Sequence, residues 1–103
     1  MSFDNCCQGV NSTYKIVVGR SSSLTGPYVD RTGRPMTRGG GTLLLASSDR
    51  WRGPGSVGVL SDGGLDWLAY QAYDALDGGT PTLQVRPLAW TAAGWPVLGA
   101  PVF

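Results

Sequence analysis

The carboxyl side chains available for acid–base chemistry in this 103-residue chain are seven aspartates, and the sequence contains neither histidine nor glutamate. The lack of histidine excludes a His-based triad and a cluster of His metal ligands within this chain. The lack of glutamate excludes a glutamate general acid. Turn positions, where an aspartate hydrogen-bonds local backbone, are predicted for Asp30, Asp49, Asp62 and Asp77, whereas Asp66 is predicted to open a strand beside a turn. Hydrogen bonding or packing is also the expected role of Asp4 and Asp74.

The only two cysteines, Cys6 and Cys7, are adjacent in the sequence. A disulfide between neighbouring cysteines is strained and uncommon, and the Cys-x-x-Cys spacing of a metal site is absent. We therefore expect two buried free thiols, or one buried thiol with the other lining a cleft. The redox compartment does not follow from these residues.

Composition narrows the class of protein. Apolar residues make up 42% of the chain, which indicates a folded domain rather than a disordered segment. Eight basic and seven acidic residues give a net charge of +1 without any basic block, so nucleic acid is not an expected partner. No apolar run approaches the roughly 20 residues that span a membrane, and residues 1–4 lack the features of a signal peptide.

The elements that must position these residues are short strands. Sixteen glycines and seven prolines separate brief apolar runs, a pattern typical of strands joined by turns. Strands are predicted at 14–19, 42–46, 57–60, 66–73, 82–86 and 95–98, with a short extended piece at 28–29. Pro87 is expected to limit ladder pairing beyond residue 86. The pattern predicts an all-β chain, either a sandwich or a propeller, and does not decide between them.

Residues 52–74 form the predicted central hairpin. A tight loop is expected at Gly53-Pro54-Gly55-Ser56, and a turn at residues 61–64 precedes the second strand. Alternation along that strand places two sets of side chains on opposite faces: Trp67, Ala69, Gln71 and Tyr73 on one, and Leu68, Tyr70 and Ala72 on the other. Because both faces are largely apolar, the strand is expected to pack between two neighbouring sheets.

An ordered series of segments carries a resemblance to a known family. The segments are Ser2 to Ser21 with its Asp4-Asn5-Cys6-Cys7-Gln8-Gly9-Val10-Asn11 run, Gly26-Pro27-Tyr28, Gly39-Gly40-Gly41-Thr42, Gly53-Pro54-Gly55, Gln71-Ala72-Tyr73-Asp74, Pro81-Thr82-Leu83, Arg86-Pro87-Leu88 and Gly94-Trp95-Pro96-Val97. Over nearly its whole length the chain resembles the arabinan endo-1,5-α-L-arabinosidases of glycoside hydrolase family 43. The resemblance implies the C-terminal part, about two blades of antiparallel meander sheet, of a five-bladed β-propeller. Residues 1–46 are expected to form the remainder of the fourth blade and a connection, and residues 47–103 the fifth blade.

The resemblance implies inverting hydrolysis of O-glycosyl bonds in the polysaccharide arabinan, a step of carbohydrate catabolism. Such hydrolysis needs two carboxyl groups held about 6.5–9.5 Å apart. In the family an Asp base, a second Asp that tunes the acid and a Glu acid all come from positions before Met1. Asp4 and Asp74 match motif positions, but no pair of aspartates here is expected to flank a glycosidic bond. We therefore assign no catalytic residue and expect a hydrolase fragment that is inactive alone.

The resemblance also bears on a metal and on sugar contacts. Family members place a His ligand of a central ion, usually calcium, where Ser56 stands here, and commonly a second His where Gln71 stands. Calcium usually takes six to eight oxygen ligands with carboxylates among them, so we assign neither a metal nor another cofactor. Sugar contacts are predicted for Cys7, Gln8 and Asn11, which lie in the loop that borders the family's cleft. A sugar contact is also predicted for the ring of Phe3, for which packing in the core is the alternative role.

Two alternatives to the fragment interpretation stay open. One is a non-catalytic two-blade module that self-associates and binds a polysaccharide, and the other is a decayed remnant without function. An isolated pair of blades leaves sheet edges and apolar faces uncovered, so self-association is expected. The Ser56 and Gln71 replacements favour these alternatives. Localisation is not predicted, because family members occur both outside and inside cells.

Overall fold

The computed structural model describes residues 1–5 and 7–102, and within them the chain folds into two antiparallel sheets. The first sheet has the order β1 (Ser2–Phe3), β2 (Lys15–Val18), β3 (Thr42–Leu45). The second has the order β4 (Trp51–Asp62), β5 (Leu65–Asp74), β6 (Thr80–Trp90), β7 (Pro96–Leu98). Three short 3₁₀ helices, Gly9–Asn11, Met36–Arg38 and Ala75–Asp77, lie in the connections. The all-β, meandering prediction is confirmed, and none of these described helices could cross a membrane.

The central hairpin is longer than predicted. Its strands pair from Trp51 opposite Asp74 to Asp62 opposite Leu65. Only Gly63 and Gly64 form the connection, and both have positive φ, +60° and +79°. Two-residue hairpin loops of this kind favour glycine because their backbone twist matches that of the strands. The predicted four-residue turn is therefore a two-residue turn between extended strands.

The predicted tight loop at Gly53-Pro54-Gly55-Ser56 is wrong, because all four residues belong to β4. Register shifts occur between Arg52 and Gly55 and again between Gly55 and Gly58. Bulges place extra residues in one strand and suit glycine and proline, which are otherwise disfavoured within a sheet. The same sequence signal therefore marks an irregular strand instead of a loop.

The expectation that Pro87 limits pairing is also wrong. Strand β6 continues to Trp90, and Pro87 pairs in register with Trp67 on β5. On its other side the Pro87 carbonyl accepts a hydrogen bond from the Gly99 amide at 2.9 Å. Proline lacks a donor, but its carbonyl can still take part in a ladder.

The core lies between the two sheets. Leu68, Tyr70 and Ala72 define the inner face of the second sheet, and they cluster with Ile16 of β2. All four side chains are buried. The inner face therefore packs against the first sheet, as the predicted alternation along β5 requires. The β6–β7 turn is held against the connection between β2 and β3 by Trp95, whose ring centroid lies 4.5 Å from the Arg20 guanidinium carbon and 5.6 Å from that of Arg31.

Cross-strand pairing places a second apolar set on the opposite face of the second sheet, called here the outer face: Leu60, Trp67, Ala69, Leu83, Val85 and Val97. Leu60 is 60% exposed and Leu83 is 56% exposed. Within the described residues no element covers this face. The predicted packing of β5 between two sheets is thus observed on its inner side only.

Candidate functional site

A cavity of about 140 Å³ lies where the ends of the two sheets meet. Its lining combines residues from the β1–β2 connection with residues from the first half of β4 and the end of β5: Cys7, Tyr14, Gly53, Gly55, Ser56, Gln71, Ala72 and Tyr73. Gly55 and Gln71 are direct cross-strand partners, so the β4–β5 ladder fixes one wall. The structure thus brings Ser56 and Gln71, which the sequence separates by 15 positions, into one site.

Two glycines of β4 allow the sheets to approach closely at this cavity. A Cβ atom on Gly53 would lie 2.1 Å from the Ser12 Oγ, and one on Gly55 would lie 2.9 Å from the Tyr14 Cδ1. Gly53 also has a φ of +60°, which non-glycine residues rarely adopt. The Gly53-Pro54-Gly55 segment therefore sets the width of the site by omitting side chains.

The polar groups of the cavity are neutral hydrogen-bonding groups. Ser56 and Gln71 are exposed, so the Ser56 hydroxyl and the Gln71 amide can both donate and accept hydrogen bonds. Tyr14 and Tyr73 add ring surface with a hydroxyl at its edge. The Ser56 backbone has a φ of +54° and its amide donates to the Ser2 Oγ at 3.2 Å. This arrangement suits a neutral polyhydroxyl ligand.

No aspartate of the described chain lines this cavity. Asp74 accepts from Arg50 through both oxygens at 3.0 Å, and the Arg50 guanidinium lowers the pKa of that carboxyl. Asp4 lies 3.4 Å from the Lys15 ammonium, and its pKa is lowered chiefly by the Asn5 amide. The predicted hydrogen-bonding roles of Asp4 and Asp74 are therefore confirmed.

Asp30 and Asp66 are likewise held by hydrogen bonds. The Asp30 Oδ1 accepts from the amides of Thr32 and Arg34, and its Oδ2 accepts from the Gly41 amide at 2.9 Å. These donors, led by Gly41, hold the pKa of Asp30 well below its usual range. Asp66 lies at the start of β5, as predicted, and accepts from two side chains, the Ser61 hydroxyl and the Trp90 indole N–H.

The donor set fits a calcium ion poorly. Ser56 and Gln71 offer neutral oxygens, and no group of three or more His, Cys, Asp or Glu residues in the described chain could hold a metal ion. Calcium prefers six to eight oxygens that include carboxylates. The cavity residues of this chain do not form a calcium site by themselves.

The predicted sugar-contacting residues are not all in one place. Cys7 lines the cavity with Ser56 and Gln71. Asn11 lines a separate hollow that also contains Lys15 and Arg52. Gln8 precedes the 3₁₀ helix Gly9–Asn11, and Phe3 lies with its ring centroid 4.6 Å from the Lys15 ammonium. Whether these residues contact sugar stays a prediction.

The expectation of free thiols is wrong. Cys7 is disulfide-bonded, and the described chain contains no free cysteine. Cys6 is the only other cysteine in the sequence and lies outside the described residues.

Sequence reasoning missed the two tyrosines of the cavity. Tyr73 could have been found, because it shares a face of β5 with Gln71 in the predicted alternation. Tyr14 lies just before β2, and no periodic signal indicates that it turns toward β4. Its position depends on the contact between sheets that Gly55 permits.

Comparison with known proteins was consistent across sequence and structure. The sequence profile described as "Glycosyl hydrolases family 43" matches residues 3–96. The extracellular endo-α-(1→5)-L-arabinanase 1 of Bacillus subtilis is 51% identical over 96 residues, which cover 93% of this chain and 28% of that protein. The extracellular exo-α-(1→5)-L-arabinofuranosidase of Cellvibrio japonicus is 44% identical over 95 residues, covering 92% and 27% respectively.

Solved structures share the fold. The α-L-arabinanase of Cellvibrio cellulosa complexed with arabinohexaose is 43% identical with a TM-score of 0.90, covering 95% of this chain and 31% of that one. The family 43 endo-arabinanase of Bacillus licheniformis is 52% identical with a TM-score of 0.86, covering 93% and 32%. This similarity confirms the predicted fold, part of the antiparallel five-bladed propeller of the arabinanases. The chain spans less than a third of the length of these relatives.

Proposed function

Because the chain belongs to glycosyl hydrolases family 43, we propose that it forms a sugar-binding wall of an arabinan-hydrolysing cleft and does not hydrolyse arabinan alone. One observation carries this proposal. Tyr14, Ser56, Gln71 and Tyr73 line a single cavity to which no described aspartate contributes. Residues 1–46 would supply one blade with its connection and residues 47–103 the next, a division supported by the break between β3 and β4.

The cavity can bind and orient a sugar but has no acid or base to act on it. A glycosidic bond requires one carboxylic acid to protonate the leaving oxygen and one carboxylate to activate water. The Gln71 amide can accept from one sugar hydroxyl and donate to another, since it has both kinds of group. The rings of Tyr14 and Tyr73 provide apolar surface for the C–H groups of a furanose. These contacts would fix the position of the substrate, and the carboxylates would come from elsewhere.

An NMR titration with arabinohexaose tests the binding half of the proposal. We expect weak binding that shifts the Gln71 side-chain amide, and a loss of about fivefold in affinity for Gln71→Ala, which corresponds to one hydrogen bond of roughly 1 kcal/mol. Thr37→Ala, an exposed polar change in the 3₁₀ helix Met36–Arg38, is the matched control. Equal affinity in Gln71→Ala and the unmodified chain would contradict the assignment of the cavity.

A self-associating, non-catalytic module is the second candidate, and the outer face favours it. That face carries the exposed Leu60 and Leu83 beside Trp67 and Val85, and contiguous apolar surface of this kind marks interaction sites. Light scattering coupled to size exclusion should then show oligomers that Leu83→Arg dissociates. Leu24→Arg, at a loop position that is 91% exposed, should leave them intact. A concentration-independent monomer would argue against this candidate, and an unfolded chain by circular dichroism would favour the decayed remnant.

A further inference from the structure

Trp90 presents an exposed aromatic ring in a fixed orientation. It is the last residue of β6 and is 55% exposed. Its Nε1–H donates to the Asp66 Oδ2 at 2.8 Å, and the Ser61 Oγ donates to the Asp66 Oδ1 at 2.5 Å. The two hydrogen bonds hold the indole and the carboxylate side by side. Trp90, Asp66 and Ser61 together are called the Trp90 platform below.

The exposure of Trp90 differs in kind from that of the outer face. Trp90 follows Leu88 by two residues and contacts Asp66, which places it on the inner face. The element that packs against the inner face is the first sheet, and that sheet is present in this chain. Leu88 is still buried, whereas Trp90 lies beyond the edge of the contact. Covering the outer face would therefore leave Trp90 exposed.

The Trp90 platform is separate from the cavity. Asp66 and Gln71 are both on β5, and five residues of extended strand span about 16 Å. Asp66 lies at the hairpin end of that strand, whereas Gln71 lies near its other end. No residue of the platform lines the cavity. A ligand bound at Trp90 would not occupy the proposed sugar-binding wall.

The chemistry of the platform matches a sugar ring. An indole ring offers an apolar surface to the C–H groups of a sugar. An ionised carboxylate has about four lone-pair sites, of which two are used here, so Asp66 can accept from sugar hydroxyls. Hydrogen bonds from Ser61 and Trp90 lower the pKa of Asp66, which keeps it ionised at neutral pH. The negative charge of Asp66 itself disfavours an acidic glycan.

We propose that Trp90, Asp66 and Ser61 form a second, non-catalytic binding site for a neutral polysaccharide. A cationic ligand could also meet a ring and a carboxylate, but a single ring gives no aromatic cage. The choice of an arabinan as probe rests on the proposed function. The geometry of the Trp90 platform is independent of the proposed function. Such a site would hold a long chain at a distance from the cleft.

The test is a titration of the intact chain with arabinohexaose, monitored through the indole N–H signals of its four tryptophans. We expect the Trp90 indole signal to shift while that of the buried Trp95 stays unchanged. Trp90→Leu, which keeps apolar area but removes the ring, should weaken binding at this site at least tenfold. Trp90→Phe, which keeps a ring but loses the hydrogen bond to Asp66, should bind with an affinity between that of the unmodified chain and that of Trp90→Leu. Gln71→Ala should leave the Trp90 shift unaltered, so failure of the cavity and failure of the platform are distinguishable.

Three results would overturn the proposal. One is an unmoved Trp90 indole signal at millimolar arabinohexaose and equally with soluble linear arabinan, a readout that needs no variant to fold. The second is a shift of the Trp90 indole signal caused by trilysine but not by arabinohexaose, which would make the Trp90 platform a cation site. The third is equal affinity of Trp90→Leu and the unmodified chain at this site, which would show that the indole ring does not contribute to binding.

Discussion

Replacing Gly53 by alanine tests the claim that missing side chains let the two sheets meet at the cavity. The new Cβ would lie 2.1 Å from the Ser12 Oγ and 2.4 Å from its Cβ, well inside van der Waals contact. Relief requires Ser12 or β4 to move, and overpacking of this kind costs about 1–3 kcal/mol. The φ of +60° adds about 1–2 kcal/mol for a non-glycine residue. The sum is a loss of about 2–5 kcal/mol in the free energy of unfolding.

Gly63→Ala is a matched control for the backbone contribution. Gly63 has the same φ of +60°, but a Cβ added there would have nothing within 4 Å. Its substitution should therefore cost only the left-handed backbone penalty, about 1–2 kcal/mol. Urea unfolding followed by tryptophan fluorescence measures the free energy of unfolding of both variants. In a thermal unfolding experiment, a loss of about 1 kcal/mol would lower Tm by roughly 4–8 °C for a domain of this size.

The difference between the two variants isolates the steric contact. A loss for Gly53→Ala that exceeds the loss for Gly63→Ala by about 1–3 kcal/mol is expected. Ser12→Gly in the Gly53→Ala background should recover part of it, because the effects of substitutions at neighbouring, clashing residues are not additive. If Gly53→Ala is no more destabilising than Gly63→Ala, the sheets do not approach at Ser12, and the proposed shape of the cavity is wrong.

Three further predictions concern the stability of the fold. Leu68→Ala should lower the free energy of unfolding by about 2–5 kcal/mol because Leu68 is buried in the core. Leu60→Ala on the outer face should lower it far less in the monomer. Similar losses for the two variants in urea unfolding would contradict the assignment of the two faces. Gln84→Met should change stability by no more than about 1 kcal/mol, since the buried Gln84 Oε1 accepts no hydrogen bond from the described residues and its Nε2 donates one long bond, 3.3 Å to the Leu83 carbonyl. A loss well above that value would mean that Oε1 has a partner. The hydrogen-bond donors around Asp30 lower the pKa of its carboxyl below the unfolded value of about 3.9. The ionised Asp30 therefore stabilises the fold fully above that pH, and this stabilisation is lost as pH falls toward the folded pKa. Asp30→Asn should therefore be less stable than the unmodified chain at pH 7 and show a shallower loss between about pH 4 and pH 2, and parallel pH curves would refute this role.

Local sequence patterns predict the strands well and the irregular segments poorly. Alternation along residues 66–73 identifies both faces of β5, because a half-buried strand repeats every two residues. The Gly53-Pro54-Gly55 segment resembles a loop in sequence, since bulges and turns favour the same residues. The missing donor of Pro87 is visible in the sequence, whereas the acceptor role of its carbonyl depends on the neighbouring Gly99.

The candidate site is predictable only in part. The absence of histidine and glutamate excludes a His-based triad, a cluster of His metal ligands and a glutamate general acid. Ser56 and Gln71 are identified by resemblance, and the β4–β5 register explains why they share a cavity. Tyr14 joins them through a contact between separate sheets, which no local pattern specifies. The disulfide bond of Cys7 contradicts the expectation of free thiols, which rested on general rules about cysteine strain and spacing.

A single NMR sample of the chain with arabinohexaose, followed over days, tests the central claim that this cavity binds arabinan and does not cleave it. The claim predicts a shift of the Gln71 side-chain amide together with an unchanged hexasaccharide spectrum. Appearance of shorter arabino-oligosaccharides without any added protein would contradict the absence of catalytic carboxylates. An unshifted Gln71 amide at saturating arabinohexaose would contradict the binding role of the cavity.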